Sequence, residues 1–63
     1  MKMNSRDLLK LLKDQGWEVV RIQGSHHQLK HADHGHTLTV PHPKKDLGVG
    51  LVKAILRQAG LEE

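Results

Sequence analysis

The sequence lacks most of the residues that stabilise very small proteins. It has 63 residues with no cysteine, no phenylalanine, no tyrosine and a single tryptophan, Trp17. Without cysteine the chain has neither disulfides nor thiolate ligands for zinc, so the packing of one core must hold it together. A chain of this length supports a single domain, and we expect residues 1–63 to form it.

Long apolar runs are also absent. No stretch approaches the roughly 20 apolar residues that cross a bilayer, and Asn4, Arg6 and Asp7 lie where a signal peptide needs an apolar segment. We therefore expect a cytoplasmic protein without a membrane partner. Proteins that recognise single-stranded RNA stack its bases on aromatic side chains. Because this chain lacks Phe and Tyr, a bound nucleic acid would be held mainly through its backbone and shape.

What the chain does have is a basic surplus and six histidines. The formal net charge is +3, which suits an anionic partner but is also ordinary for a small soluble protein. All six histidines lie between residues 26 and 42. Because the pKa of imidazole lies near neutrality, this segment is the first place to look for proton transfer.

Hydrophobic periodicity predicts two amphipathic helices with three strands between them. Asn4 or Ser5 serves as N-cap of the first helix, and Gly16 and Gly60 end the two helices. Gly24 and Gly35 mark turns in which we expect a positive φ. The predicted elements are a helix over residues 4–16, strands over 17–22, 26–31 and 36–40, and a helix over 51–60.

These elements predict an α+β fold with the order α-β-β-β-α. Three antiparallel strands with apolar positions on one face need a cover, and the two helices are all that the chain offers. We therefore expect a three-stranded antiparallel sheet covered on one face by both helices. The opposite, polar face of the sheet stays open to solvent or to a ligand.

The spacing of the histidines argues against a metal site. His27 and His31 are four residues apart on one predicted strand, about 13 Å at the usual rise, which is too far to share an ion. His34 and His36 are closer in sequence, but no His-Glu-x-x-His pattern or evident third ligand accompanies them. We expect no metal and no other cofactor.

The segment Gly24-Ser25-His26-His27 predicts phosphate binding combined with proton transfer. A flexible glycine, a hydroxyl and two imidazoles at the start of a strand can hold a phosphate while one histidine moves a proton. RNA supplies its own nucleophile, the 2′-hydroxyl, so phosphodiester cleavage needs only a base, an acid and positive charge. A polar hairpin with surface histidines is the structural alternative.

Strand alternation does not decide which of the two histidines acts. It places His27 with Leu29 on the core-facing side and His26 on the open side, which makes His26 the accessible residue. At the start of a strand, however, a half-buried His27 would have its orientation fixed and its pKa lowered. Basic side chains that can hold the RNA backbone beside this site are Lys30, Lys44 and Lys45, and His42 is a candidate for a second proton transfer.

Several motifs in this order resemble those of the HicA-type (YcfA-like) toxins. The resemblance covers nearly the whole chain and rests on Ser-Arg-Asp-Leu-Leu-Lys-Leu-Leu at 5–12, Asp-Gln-Gly-Trp at 14–17, Gly-Ser-His-His at 24–27, Val-Pro-His-Pro at 40–43, Gly-Val-Gly-Leu at 48–51 and Ile-Leu-Arg-Gln-Ala-Gly-Leu at 55–61. HicA-type toxins belong to bacterial and archaeal toxin–antitoxin pairs. They are small mRNA interferases with a fold like that of double-stranded-RNA-binding domains.

The resemblance implies a metal-independent endoribonuclease that cleaves mRNA and thereby inhibits translation and growth. It implies that His27 is the catalytic histidine and that a HicB-type antitoxin binds the toxin and covers its active site. On this reading Gly24 and Ser25 shape the phosphate pocket, and Lys30, His42, Lys44 and Lys45 contact the nucleic acid. The alternatives are a non-catalytic double-stranded-RNA-binding module of the same fold and a small protein-interaction domain.

Overall fold

The computed structural model describes residues 3–61, which form two helices and three strands in the predicted order. The elements are α1 (Ser5–Asp14), β1 (Glu18–Gln23), β2 (His26–Lys30), β3 (Leu38–Pro41) and α2 (Val49–Gln58). The strands form one antiparallel sheet in the order β1-β2-β3. Each helix is ten residues long, and neither meets the length and hydropathy of a membrane-spanning segment within the described range.

Both helices pack on one face of the sheet. From α1 the core receives Leu8, Leu9 and Leu12, and from α2 it receives Val52 and Ile55. The strands contribute side chains on one side only, Leu29, Leu38 and Val40, while Lys30 and Thr39 on the other side are exposed. This alternation places the whole core between the sheet and the helices, as the period-two and period-3.6 patterns predict.

The ends of α1 follow the capping rules, with Asn4 rather than Ser5 as the N-cap. The Asn4 side-chain oxygen accepts a hydrogen bond of 2.7 Å from the backbone N–H of Asp7. The chain leaves the helix through Gly16, which has a φ of +97°. Ser5 is the first residue of the helix, so its hydroxyl is not needed for the cap.

Three turn and boundary predictions are wrong. The turn at Gly24 has the expected positive φ of +60°, but Gly35 does not have a positive φ. The third strand begins at Leu38 rather than at residue 36, and α2 begins at Val49 rather than Leu51. The segment 31–37 is therefore a longer connection than the sequence pattern predicts, and histidine side chains hold it in place, as described below.

Candidate active site

The strand register brings His27 and His42 together at one end of the sheet. On β2, His27 lies opposite Val40 of β3, and His26 lies opposite Pro41, the last residue of β3. His42 follows immediately, and its backbone N–H donates to the carbonyl of Ser25 over 2.7 Å. The two imidazole rings meet edge to face, with centroids 4.8 Å apart and an angle of 79° between their planes.

His27 is half-buried on the helix-covered side of β2. Its Nδ1 atom is enclosed and has no hydrogen-bond partner within residues 3–61, which leaves Nε2 as the ring nitrogen that a ligand can reach. Burial of the ring is the main cause that lowers the pKa of His27 below its ordinary value of 6.5, and His42 and Lys13 lower it further. His27 is therefore neutral near pH 7 and able to accept a proton.

Ser5 holds the other histidine. The Ser5 Oγ atom lies 2.7 Å from Nδ1 of His42 and accepts a hydrogen bond of 2.8 Å from the backbone N–H of Lys44. The Ser5 backbone N–H in turn donates to the carbonyl of Lys44 over 2.9 Å. These contacts fasten the first turn of α1 to the chain that leaves β3, and the Ser5 side chain is almost fully enclosed.

A cleft of about 350 Å³ opens beside the two rings, and we call it the histidine cleft. Its lining residues are Arg6, Leu9, Lys10, Lys13, Asp14, His27 and His42. The three cations have the spacing i, i+4, i+7 along α1, which places them on one face of the helix. An anion in this cleft would therefore have the two imidazoles on one side and the three cations of α1 on the other.

The cations of α1 in the histidine cleft were not predicted from the sequence as part of the site. Periodicity separates Arg6, Lys10 and Lys13 from the leucine stripe, and that separation is equally typical of a solvated helix face. The helical spacing of the three cations indicates a common face of α1. That face is recognised as part of a site only because the fold places it next to His27.

Some of the residues predicted to bind nucleic acid lie near the histidine cleft. Lys44 and Lys45 line a neighbouring depression, which shares Arg6 and His42 with the cleft. We call it the lysine depression, and its lining residues are Asn4, Ser5, Arg6, His42, Pro43, Lys44 and Lys45. The two sites together form one basic surface around His42.

Gly24, Ser25 and Lys30 have different positions. Gly24 and Ser25 form the exposed turn between β1 and β2, and Ser25 reaches the site through its carbonyl, which accepts the hydrogen bond from the backbone N–H of His42. Lys30 is at the far end of β2, opposite Glu18 of β1. Lys30 is three positions after His27, and side chains an odd number of positions apart on a strand point to opposite faces of the sheet. The fold does not bring Lys30 to the histidine cleft.

Three of the remaining histidines surround Trp17 at the other end of the sheet. The ring of His34 stacks on Trp17 with centroids 5.0 Å apart, and the rings of His31 and His36 lie 5.3 and 5.7 Å from it. Among residues 3–61 no group of His, Asp or Glu side chains is arranged to hold a metal ion. We call Trp17, His31, His34 and His36 the tryptophan cluster.

The tryptophan cluster fastens the loop 31–37 to the ends of both helices. Nδ1 of His31 accepts from the backbone N–H of Asp33, so the proton on Nε2 is the one that donates to the carbonyl of Gln15 over 2.9 Å. Nε2 of His36 lies 2.6 Å from the carbonyl of Gln58. These two carbonyls lie at the C-terminal ends of α1 and α2, where backbone acceptors have no partner inside the helix. The cluster therefore has a structural role.

Comparisons with known proteins agree with the fold and with the motifs. Residues 5–61 match the family described as HicA toxin of bacterial toxin–antitoxin systems. A similar solved structure is described as a HicA3 and HicB3 toxin–antitoxin complex, with a TM-score of 0.84 and 32% sequence identity over 97% of this chain and 98% of that one. A search of curated protein sequences found no match. The family match spans nearly all of the described chain, and on that basis the chain belongs to the HicA toxin family.

Proposed function

We propose that the chain is an endoribonuclease that cuts mRNA, with the scissile phosphate bound in the histidine cleft, beside His27 and His42. The observation that carries this proposal is the pair of imidazoles, 4.8 Å apart, in a cleft lined by Arg6, Lys10 and Lys13. Cleavage of RNA by its own 2′-hydroxyl needs one group to take a proton, one to give a proton and positive charge at the phosphate. The histidine cleft supplies all three.

In the proposed reaction His27 is the general base and His42 the general acid. Neutral His27 takes the proton of the 2′-hydroxyl as the 2′-oxygen attacks phosphorus, and the bond from phosphorus to the 5′-oxygen breaks. Protonated His42 gives its proton to the leaving 5′-oxygen. The products are a 2′,3′-cyclic phosphate and a 5′-hydroxyl, and the two histidines then exchange protons with water. The lowered pKa of His27 favours its role as the base, because the base must be neutral before it takes a proton.

The cations have the electrostatic role in this reaction. Arg6, Lys10 and Lys13 stabilise the charge that develops on the phosphoryl oxygens, and Lys44 and Lys45 hold the neighbouring backbone phosphate in the lysine depression. Gly24 and Ser25 shape the turn at the mouth of the cleft. Lys30 contacts only RNA that continues beyond the edge of the sheet. The proposed reaction uses no metal ion, because side chains of this chain carry both the proton transfers and the positive charge.

We also propose that a HicB-type antitoxin binds this chain and covers the histidine cleft, and that the free toxin stops translation and growth by degrading mRNA. The similar solved structure is a toxin–antitoxin complex, which supports a partner of this kind. An antitoxin that blocks cleavage must either occupy the cleft or close access to it. The toxin–antitoxin pair would then be inactive until the antitoxin is lost.

The test compares two neighbouring histidines on opposite faces of one strand. His27→Ala should lower the rate of RNA cleavage by roughly 10²- to 10⁴-fold, the usual contribution of a positioned acid or base. His26→Ala is the matched control, because His26 is exposed and faces away from the helices. The purified proteins are assayed on RNA with and without EDTA, the ends of the products are identified, and growth is followed after induction.

Cleavage that persists in His27→Ala, or that EDTA abolishes, contradicts the proposal. A wild-type protein that shifts RNA on a native gel but never shortens it identifies the non-catalytic RNA-binding module instead. A protein with no affinity for RNA, whose effect on growth does not depend on His27, identifies a protein-interaction domain.

A further inference from the structure

We propose that Ser5 is the positioning residue for His42: its hydroxyl fixes the imidazole so that Nε2, and not Nδ1, serves the substrate. This inference rests on the proposed function, since it assigns a role to a residue next to the proposed general acid. The geometry behind it is the contact of 2.7 Å between Oγ of Ser5 and Nδ1 of His42, made by a serine that is 1% exposed.

The Ser5 hydroxyl is itself held in place. The backbone N–H of Lys44 donates to it over 2.8 Å, and the Ser5 backbone N–H is bound to the carbonyl of Lys44 over 2.9 Å. Because Asn4 caps α1, the Ser5 hydroxyl is not used as the N-cap. A serine at the first helical position whose side chain reaches 37 residues along the chain is used for a tertiary contact, and the ring that it touches is His42.

This contact determines which nitrogen of His42 is free. Nδ1 is engaged by Ser5, and the backbone N–H of His42 is bound to the carbonyl of Ser25, so the side chain and main chain are both anchored. Only Nε2 remains to exchange a proton with an RNA oxygen. While Nε2 gives up and regains its proton, Nδ1 keeps its own hydrogen, and the Ser5 hydroxyl oxygen accepts from it in both protonation states of His42.

The experiment compares Ser5→Ala with Asp7→Ala in the full-length protein. Both changes weaken the start of α1, since Ser5→Ala leaves the N–H of Lys44 without its partner and Asp7→Ala removes the acidic side chain of the first helical turn. Asp7 lines neither the histidine cleft nor the lysine depression. Only Ser5→Ala releases His42. We expect Ser5→Ala to lower kcat on RNA by about 10- to 100-fold, the usual effect of losing a group that orients a functional histidine. KM should change little, because the cations of the histidine cleft are untouched.

A spectroscopic measurement separates this inference from the proposed function. In the ¹⁵N NMR spectrum of the imidazoles, we expect Nδ1 of His42 to give a hydrogen-bonded signal in the wild type and in Asp7→Ala, and to lose it in Ser5→Ala. This measurement does not depend on RNA cleavage. It is made at a temperature at which circular dichroism shows that both variants are folded.

The outcomes are distinct. If the wild type cleaves RNA and Ser5→Ala keeps its kcat, or if Asp7→Ala loses as much kcat as Ser5→Ala, the positioning role is wrong while the proposed function stands. If the NMR signal depends on Ser5 but the wild type does not cleave RNA, Ser5 holds the ring as inferred and the proposed nuclease is wrong. An unchanged His42 signal in Ser5→Ala contradicts the inference directly.

Discussion

At the scale of single residues, the environment of His27 explains how a histidine can take a proton and then release it. Its Nδ1 atom is enclosed and has no hydrogen-bond partner within residues 3–61, so no neighbouring acceptor stabilises the protonated ring through that nitrogen. The same burial lowers the pKa of the side chain. A proton accepted at Nε2 is therefore held weakly and is readily passed on.

The pH dependence of cleavage should follow His27. Because the base must be neutral, kcat should rise with pH, and the midpoint of this rising limb should lie below 6.5, since the pKa of His27 is lowered. Lys13→Ala removes one of the charges that lower this pKa, so the rising limb should move to higher pH. The measurement is a pH–rate profile at saturating RNA.

Lys53→Ala is the control for this profile, since Lys53 is an exposed cation of α2 and does not line the histidine cleft. Its rising limb should coincide with that of the wild type. A limb that stays in place in Lys13→Ala, or that moves equally in Lys53→Ala, would mean that the titrating group is not His27 in its present surroundings.

The choice between His26 and His27 shows what strand alternation can and cannot predict. Alternation placed His27 on the core-facing side, and the structure confirms that placement. It could not predict that the helices leave this end of the sheet partly uncovered, so that His27 is half-buried and faces a cleft. That depends on where α1 crosses the sheet, which is a tertiary property. The catalytic role of His27 stays a prediction.

At the scale of elements, α1 has two faces with separate tasks. Its leucines fill the core, and Arg6, Lys10 and Lys13 line the histidine cleft. The sequence predicted the helix and its leucine face. It could not assign the cationic face to a site, because the partner of that face comes from residues 27 and 42 on other elements.

The cationic face of α1 should dominate RNA binding. In a His27→Ala background, which prevents cleavage, Lys10→Glu should weaken binding and reduce the slope of log K against log salt by about one, the loss of one phosphate contact. Lys53→Glu carries the same charge change on α2 and should leave the affinity closer to that of the parent. The measurement is a titration of RNA at several salt concentrations, and equal losses for both variants would remove the special role of α1.

Boundary errors in the predicted elements have a common physical cause. The alternating pattern continued back to residue 36, but the ring of His36 is bound to the carbonyl of Gln58 at the end of α2, so the strand begins only at Leu38. Likewise Gly35 was predicted to turn the chain through a positive φ, whereas the loop is held by His31 and His36. Local propensities do not include contacts with distant helix ends.

At the scale of the whole molecule, one thin layer of core determines the stability. The molecule measures 29 × 28 × 16 Å, and its enclosed apolar side chains form a single cluster between the sheet and the helices. Composition and length predicted one core without disulfides, and the structure agrees. By the usual ~0.05–0.15 kcal/mol per residue, a domain of this length has a free energy of unfolding of roughly 3–9 kcal/mol.

A single cavity in this core should therefore remove much of the stability. Leu29 is fully buried on β2, the central strand of the sheet, and Leu29→Ala should lower the free energy of unfolding by about 2–5 kcal/mol. Val20 is an apolar strand residue that is 53% exposed, and Val20→Ala should lower it by less than about 1 kcal/mol. Urea denaturation followed by circular dichroism gives both values, and similar losses would contradict a core confined to one side of the sheet.

The position of the only tryptophan provides the molecule with an internal optical reporter. Trp17 is enclosed by three imidazoles just before β1, roughly 15 Å along the strand direction from the register position of His27. Its emission therefore responds to the packing of the loop 31–37 against the helix ends, while RNA in the histidine cleft lies out of contact with it. The folding of the unlabelled protein can thus be followed through Trp17 while RNA occupies the histidine cleft.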